Sequence, residues 1–199
     1  MRARVLLFLF SAGLLGCATA APKTDYLSMP PLGTGWKVAR TREQPGVQRF
    51  REFVREGETL ASWSEIVSWH SLKKGPIAPP VETELDDQKA FLQELCPDLV
   101  WNVVERRGNA IVYEWRIADC KPSRPALEKL ARGQGPFRPD PGVTLESFTV
   151  DQHAIALYIE GRWTVRRIVY TMKVRELAAA KREEWIRRWS DTRVETRAE

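Results

Sequence analysis

Residues 99–119 read LVWNVVERRGNAIVYEWRIAD, two apolar-rich runs on either side of Gly108-Asn109. Glycine and asparagine tolerate the backbone conformations that a two-residue hairpin turn requires. The valine, isoleucine, tryptophan and tyrosine residues in both runs favour extended backbone. This stretch therefore predicts a β-hairpin with strands Leu99–Arg107 and Ala110–Asp119, against which the rest of the domain packs.

The register of this hairpin predicts which of its faces is buried. If the residues that flank the turn pair with each other, Val104 lies opposite Tyr113 and Val100 lies opposite Ile117. That face is mostly apolar, whereas the other face, which includes Glu114, is mixed. One buried face and one partly solvated face are typical of an antiparallel sheet.

The same register brings two cysteines together at the open end of the hairpin. Pro97 falls opposite Cys120, and Cys96 falls opposite Lys121. The two cysteines thus lie within about one residue of each other, and a disulfide needs Cα atoms about 4.4–6.8 Å apart. We expect a Cys96–Cys120 disulfide, with two buried free thiols as the alternative. No His or further Cys lies nearby in sequence, so we expect no metal site.

Hydrophobic periodicity and turn residues predict the remaining elements. The first are strands over Trp36–Arg40 and Val47–Arg55, followed by a turn or short helix from Leu60 and a strand to Leu72. A helix over Thr83–Leu95, with Thr83 and Asp86 as a capping box, precedes the hairpin, and a short helix over 123–131 follows it. The last elements are a strand over 143–150, a helix (with a strand as the alternative) over 152–160, a strand over 162–173 and a helix over 174–189. This order predicts a single α+β domain over residues 35–190, with one antiparallel sheet and two main helices packed on it. We expect residues 191–199 to be a polar tail.

The N-terminus has the features of a secretory signal. Arg2 and Arg4 precede an apolar run, Val5–Leu15, that is shorter than the roughly 20 residues needed to span a bilayer. Its end, Leu14-Leu15-Gly16-Cys17, resembles the lipobox of bacterial lipoproteins. The resemblance implies that residues 1–16 are a lipoprotein signal peptide and that Cys17 carries the lipid. The alternative is an ordinary signal cut after Ala18 or Ala20.

The resemblance to a lipobox predicts the compartment of the protein and one partner, the membrane. Acyl chains on Cys17 would anchor the chain in a membrane of the bacterial cell envelope. Ala18 follows the cysteine where lipoproteins of the inner membrane often carry Asp, so the resemblance favours the outer membrane, with the protein facing the periplasm. We expect residues 17–34 to form a flexible tether. The formal charge of +5 is spread among acidic residues, which argues against a nucleic-acid partner.

Three further segments resemble a loose group of bacterial exported proteins with a PsbP-like domain. They are Phe53–Glu58 followed by Trp63–Val67, Cys120 after a Trp-containing strand, and Arg162–Met172 leading into Glu184–Ile186. The resemblance implies an α/β/α sandwich and a binding or assembly domain rather than an enzyme. It supplies no catalytic residue and no cofactor.

The chemistry-bearing residues leave two hypotheses about function. The first is a lipid-anchored domain that binds an envelope protein, glycan or lipid, with Arg162, Arg166 and Arg167 as a candidate anion-binding set. The second is a small envelope hydrolase that uses His70 or His153, which requires a Ser or carboxylate within hydrogen-bond reach in a cleft. No motif assigns a catalytic residue, and we favour the first hypothesis.

Overall fold

The computed structural model describes residues 23–75, 80–122, 124–132 and 150–198. The predicted signal peptide, Cys17 and most of the strand predicted over 143–150 lie outside these residues. Within them the chain forms these elements: β1 (Lys23–Ser28), β2 (Trp36–Gln44), β3 (Gln48–Arg55), β4 (Glu65–Lys73), α1 (Val81–Leu95), β5 (Val100–Arg107), β6 (Ala110–Ile117), α2 (Arg124–Ala131), β7 (Gln152–Glu160), β8 (Thr164–Met172), α3 (Ala179–Ser190) and β9 (Arg193–Ala198).

Seven of these strands form one antiparallel sheet in the order β2-β3-β4-β8-β7-β6-β5. The strands β1 and β9 form a separate antiparallel pair. The predicted α+β class is therefore confirmed. The strands β7 and β8 lie near the centre of the large sheet, where both faces can be covered.

Helices cover both faces of the large sheet. On one face, α1 packs through residues such as Leu85 and Leu92 onto Tyr113 of β6 and Ala156 of β7. On the other face, α3 packs its two tryptophans onto Ile155, Leu157 and Tyr170. The β1–β9 pair also contributes Leu27 and Val194 to this second cluster. The sheet is thus the middle of three layers.

Tryptophan residues dominate the layer beneath α3. Trp185 stacks on Tyr170 with ring centroids 4.1 Å apart and meets Trp36 edge-on at 6.2 Å. Trp189 is fully buried, and its indole Nε1 donates a hydrogen bond of 2.9 Å to the backbone oxygen of Ile155. These rings remove a large apolar area from water while the indole N–H of Trp189 remains satisfied.

The hairpin predicted around Gly108-Asn109 is confirmed, but its register is not. Arg107 pairs with Ala110 as expected, and a β-bulge between Val103 and Glu105 then shifts the strand by one residue. Val103, instead of Val104, lies opposite Tyr113. A bulge inserts one extra residue in one strand, so every pair beyond it moves by one position.

The expected disulfide joins Cys96 to Cys120, with Cα atoms 5.1 Å apart. Cys96 follows the last residue of α1 and Cys120 lies three residues beyond β6, and both are buried. The bulge does not prevent the pairing, because the two ends of the hairpin still lie side by side. The bond fixes the end of α1 against the sheet.

The two main helices are present with different beginnings. Helix α1 begins at Val81, with Pro80 at the N-cap and no side-chain capping bond. The predicted capping box of Thr83 and Asp86 is therefore wrong, because the helix already includes both residues. Helix α3 begins at Ala179, five residues later than predicted.

The short helix predicted over 123–131 is confirmed as α2. The two strands predicted within 36–55 are confirmed as the hairpin β2–β3.

The helix favoured over residues 152–160 is wrong, because this segment is the strand β7. It pairs with β6 on one side and β8 on the other, and Gln152–Ile159 is buried throughout. A strand with both faces covered shows no alternation of apolar and polar residues. Its hydrophobic pattern therefore cannot be told from that of a buried helix.

The tether predicted over 17–34 and the polar tail predicted over 191–199 are wrong where the structure describes them. Lys23–Ser28 and Arg193–Ala198 pair along their whole lengths, from Lys23 opposite Ala198 to Ser28 opposite Arg193. The domain therefore begins before residue 35 and extends beyond residue 190. Neither segment is apolar enough to indicate a strand by itself, and the partner of each is distant in sequence.

Asp25 attaches this terminal pair to the large sheet. Its side chain is buried, and Oδ2 accepts hydrogen bonds from the backbone N–H of Trp163 (2.6 Å) and Thr164 (2.9 Å) and from Oγ1 of Thr164 (3.1 Å). The buried guanidinium of Arg166 donates to the backbone oxygen of Asp25. A Cβ at Gly161 would overlap the Asp25 carboxylate, so a larger residue at this position would displace that side chain.

We predict that Asp25→Ala lowers the free energy of unfolding by about 3 kcal/mol, since it leaves two backbone donors and a hydroxyl without their charged acceptor. Denaturant unfolding of the full chain measures the loss. The matched control is Asp87→Ala on the exposed face of α1, for which we expect a change within about 0.5 kcal/mol. Equal effects of the two substitutions would contradict the assigned role of Asp25.

Candidate functional site

His153 lies in a polar cluster beneath α3. The residue is 2% exposed, and Nδ1 of its ring accepts a hydrogen bond of 2.9 Å from the backbone N–H of Leu177. The hydrogen of the neutral ring is therefore on Nε2, which lies 3.5 Å from Oε2 of Glu114. Burial lowers the pKa of His153, while Glu114 acts in the opposite direction. Both ring nitrogens thus face protein groups in the interior.

Glu114 is the centre of that cluster. Nε and Nη2 of Arg182 donate hydrogen bonds of 2.7 and 2.8 Å to its two carboxylate oxygens, and Nδ2 of Asn102 donates a third at 3.1 Å. Burial by itself would raise the pKa of Glu114, but the bonds from Arg182 and Asn102 outweigh it and lower the pKa to about 2. This bidentate pair connects α3 to β6.

His70 lies on β4, on the face of the sheet opposite α3. Its ring meets Phe50 edge-on at 5.6 Å, and Nε2 lies 3.4 Å from Oε1 of Gln48. Burial, with a further contribution from the charge of Arg167, lowers the pKa of His70 to about 4. Among the described residues, no serine hydroxyl or carboxylate is hydrogen-bonded to this ring.

The structure does not bring Arg162, Arg166 and Arg167 together. Arg166 and Arg167 are neighbours on β8, so their side chains point to opposite faces of the sheet. Arg166 is buried against β1, and Arg167 lies towards α1, where its Nη1 is 3.4 Å from Oε1 of Gln88. Arg162 lies in the β7–β8 turn, with its guanidinium 4.8 Å from the centroid of the Trp163 ring. The interpretation of the three as one anion-binding set is therefore wrong.

A polar cluster between α1 and the sheet was not predicted from the sequence. The hydroxyl of Tyr113 donates a hydrogen bond of 3.1 Å to Oε1 of Gln88, the residue that also meets Arg167. The hydroxyl of Tyr158 donates to Glu84 of α1. Gln88 lies between Leu85 and Leu92 at helical spacing, so a polar residue at an apolar position of α1 was the one signal in the sequence.

The chemistry of this second cluster is that of fixed, protonated tyrosines. Burial raises the pKa of Tyr113 to about 12, and burial together with Glu84 raises that of Tyr158. Burial lowers the pKa of the Arg167 guanidinium, while the neighbouring tyrosines and Glu84 act in the opposite direction. The groups satisfy one another, so the cluster sets the position of α1 on the sheet.

A depression on the surface with a volume of about 260 Å³ lies beside the Gly108-Asn109 turn. Two of its residues are cationic. Arg107 donates to the backbone oxygens of Trp189 and Thr192, and Arg193 donates to those of Ser190 and Thr192. These guanidinium groups thus satisfy carbonyls at the C-terminus of α3, where positive charge is favourable.

Within the described ranges, no three His, Cys, Asp or Glu side chains are grouped so that they could hold a metal ion. None of the helices in those ranges has the length and apolar character needed to cross a membrane. Comparison of the chain with models of protein families, with characterised proteins and with solved structures gives no match.

We predict that Arg182→Met destabilises the domain by about 2 kcal/mol, because it removes the bidentate donor from a largely buried carboxylate. The effect depends on pH. The pKa of Glu114 is about 2 in the folded chain, against an ordinary value of 4.5, so its contribution to stability is present above about pH 4.5 and is lost as the pH falls towards 2. In Arg182→Met the pKa of Glu114 rises, and acid unfolding therefore begins at a higher pH.

The matched control is Arg187→Met, the same substitution at an exposed position of the same helix. We expect its stability to change by less than about 0.5 kcal/mol and its acid unfolding to follow that of the wild type. Thermal unfolding measured across the acid range distinguishes the variants. An unchanged acid transition in Arg182→Met would show that the pair does not hold Glu114 ionised.

Proposed function

We propose that this chain is a lipid-anchored protein of the bacterial cell envelope, and that its domain binds or assembles with another envelope component without catalysing a reaction. Acyl chains on Cys17 provide the anchor. The membrane is the outer membrane, and the domain faces the periplasm. The partner is an envelope protein, a glycan or a lipid.

The main support for this proposal is the division of the three cysteines between a disulfide and a lipobox-like stretch. Cys96 and Cys120 are joined in a buried disulfide that connects α1 to the end of the sheet. Disulfides of this kind are typical of proteins exported to an oxidising compartment. The third cysteine, Cys17, ends the Leu14–Cys17 stretch that resembles a lipobox. The disulfide and the lipobox-like stretch therefore both favour the cell envelope as the compartment of this protein.

The arrangement of layers supports a PsbP-like domain as the finer description of the fold. An antiparallel sheet lies between α1 and α2 on one face and α3 on the other. This is the sandwich that the resemblance of Phe53–Glu58 and Arg162–Met172 implies. A domain of that kind acts by binding, which agrees with the proposed role.

The surroundings of the histidines also favour binding over hydrolysis. His153 does have a carboxylate nearby, but Glu114 is engaged by Arg182 and the imidazole ring is buried. His70 contacts Phe50 and Gln48. A general base must reach a proton on the substrate. The ring of His153 is turned towards protein groups in the interior, and among the described residues no hydroxyl or carboxylate is hydrogen-bonded to His70.

We predict that the mature protein begins at Cys17 and carries acyl chains on this residue. Intact-mass measurement of the full-length gene product isolated from envelopes tests this, with Cys17→Ala as the comparison. The expected result is a chain that begins at Cys17 and is heavier than its amino-acid mass by the lipid. Crosslinking in intact cells then identifies partners that the wild type captures and Cys17→Ala does not.

An unmodified chain that begins after Ala18 or Ala20 would contradict the anchor. A set of partners identical in the wild type and in Cys17→Ala would contradict a role that depends on the anchor. Cys96 serves as an internal check in the same spectra, because the disulfide leaves it without a free thiol.

A further inference from the structure

We propose that the edge of the large sheet formed by the β2–β3 turn, the end of β4 and the β7–β8 turn docks onto an anionic phospholipid surface. We name this surface the turn edge and define it by Val47, Lys73, Arg162 and Trp163. The inference rests on the proposed anchor at Cys17, and it adds an orientation of the domain on the membrane that the anchor by itself does not specify.

The backbone connects these residues into one surface. The N–H of Lys73 donates a hydrogen bond of 2.8 Å to the oxygen of Val47, and the N–H of Lys74 donates one of 2.8 Å to the oxygen of Trp163. Lys73 also pairs with Thr164 across β4 and β8. The three chain segments are therefore adjacent and present their side chains at the same end of the sheet.

Two large apolar side chains of the turn edge are exposed to solvent. Val47 is 49% exposed and Trp163 is 42% exposed. Tryptophan is enriched at membrane–water interfaces because its ring is apolar and its N–H can remain at the level of the head groups. The guanidinium of Arg162 over the Trp163 ring keeps a positive charge beside this side chain.

The charge of the turn edge is positive. Of the neighbouring carboxylates, Glu43 is paired with Arg49 and Glu160 with Lys74, and that of Asp25 is buried and accepts hydrogen bonds from Trp163 and Thr164. Lys73 and Arg162 are exposed, and neither forms an ion pair with another described residue. Each such cation near an anionic membrane favours the bound state about fivefold.

The length of chain between the proposed anchor and β1 limits how far this edge can lie from the membrane. Six residue steps separate Cys17 from Lys23, which spans at most about 20 Å. Asp25 lies two residues further along β1, about 7 Å, and its carboxylate contacts the backbone of Trp163 at 2.6 Å. With the length of the Asp25 side chain included, the β7–β8 turn therefore remains within about 35 Å of a lipidated Cys17. This distance is less than the width of a domain of this size, about 40 Å.

The opposite end of the sheet provides a matched control. There Nζ of Lys173 lies 4.3 Å from the centroid of the Trp63 ring, the same kind of cation–aromatic pair as Arg162 and Trp163. Trp63 precedes β4 and Lys173 follows β8, whereas Lys73 ends β4 and Trp163 precedes β8. If the turn edge faces the membrane, this second pair faces away from it.

The test uses the full lipid-modified protein in vesicles of phosphatidylethanolamine and phosphatidylglycerol with bromine on the acyl chains, which quench tryptophan that reaches the membrane interface. We expect the wild type to be quenched, Trp163→Phe to lose most of this quenching and Trp63→Phe to retain it. Arg162→Gln and Lys73→Gln should each lower the ratio of docked to undocked protein about fivefold, and Lys173→Gln should not change it. Quenching should also weaken in phosphatidylcholine vesicles and at high salt.

The intact mass of the same samples distinguishes a failure of the docking proposal from a failure of the lipid anchor at Cys17. If Cys17 carries lipid and Trp163→Phe is quenched as strongly as the wild type, the docking surface is wrong and the anchor remains. If Cys17 carries lipid and the wild type is not quenched at all, the domain does not dock and the conclusion is the same. If Cys17 carries no lipid, both proposals are wrong.

Discussion

The buried carboxylate of Asp25 connects the first strand of the domain to the turn that joins its two central strands. One oxygen satisfies two backbone donors in a row, those of Trp163 and Thr164. Burial of a carboxylate is unfavourable unless such donors compensate for its lost hydration. The Asp25 carboxylate supplies the acceptor that the backbone N–H groups of the β7–β8 turn need, and Gly161 leaves room for this carboxylate. Through this contact, the N-terminal strand β1 becomes part of the fold.

Local patterns predicted the elements whose signal lies within one short stretch. The Gly108-Asn109 turn, the helix ending at Leu95 and the pairing of Cys96 with Cys120 depend on neighbours in sequence. The register of the hairpin was not predictable, because a bulge such as the one near Val104 depends on packing around it. The start of α1 was missed because its N-cap, Pro80, makes no side-chain hydrogen bond that a sequence motif would reveal.

Features that depend on distant partners could not be predicted from the sequence. The strand β7 looks like a helix because it is buried on both faces, and β1 and β9 look like a tether and a tail because each is a strand only beside the other. The same reason explains the failed anion-binding set. Arg166 and Arg167 are adjacent in sequence and were grouped for that reason, but β8 directs them to opposite sides of the sheet.

The proposed orientation of the domain on a membrane depends on how firmly β1 is held against the β7–β8 turn. Hydrogen exchange of the backbone amides of the full chain tests that claim most directly. If Asp25 fixes the terminal pair to the β7–β8 turn, the hydrogen-bonded amides of Lys23–Ser28 exchange as slowly as those at the Thr164 end of β8. Rapid exchange throughout Lys23–Ser28, while β8 remains protected, would contradict the account.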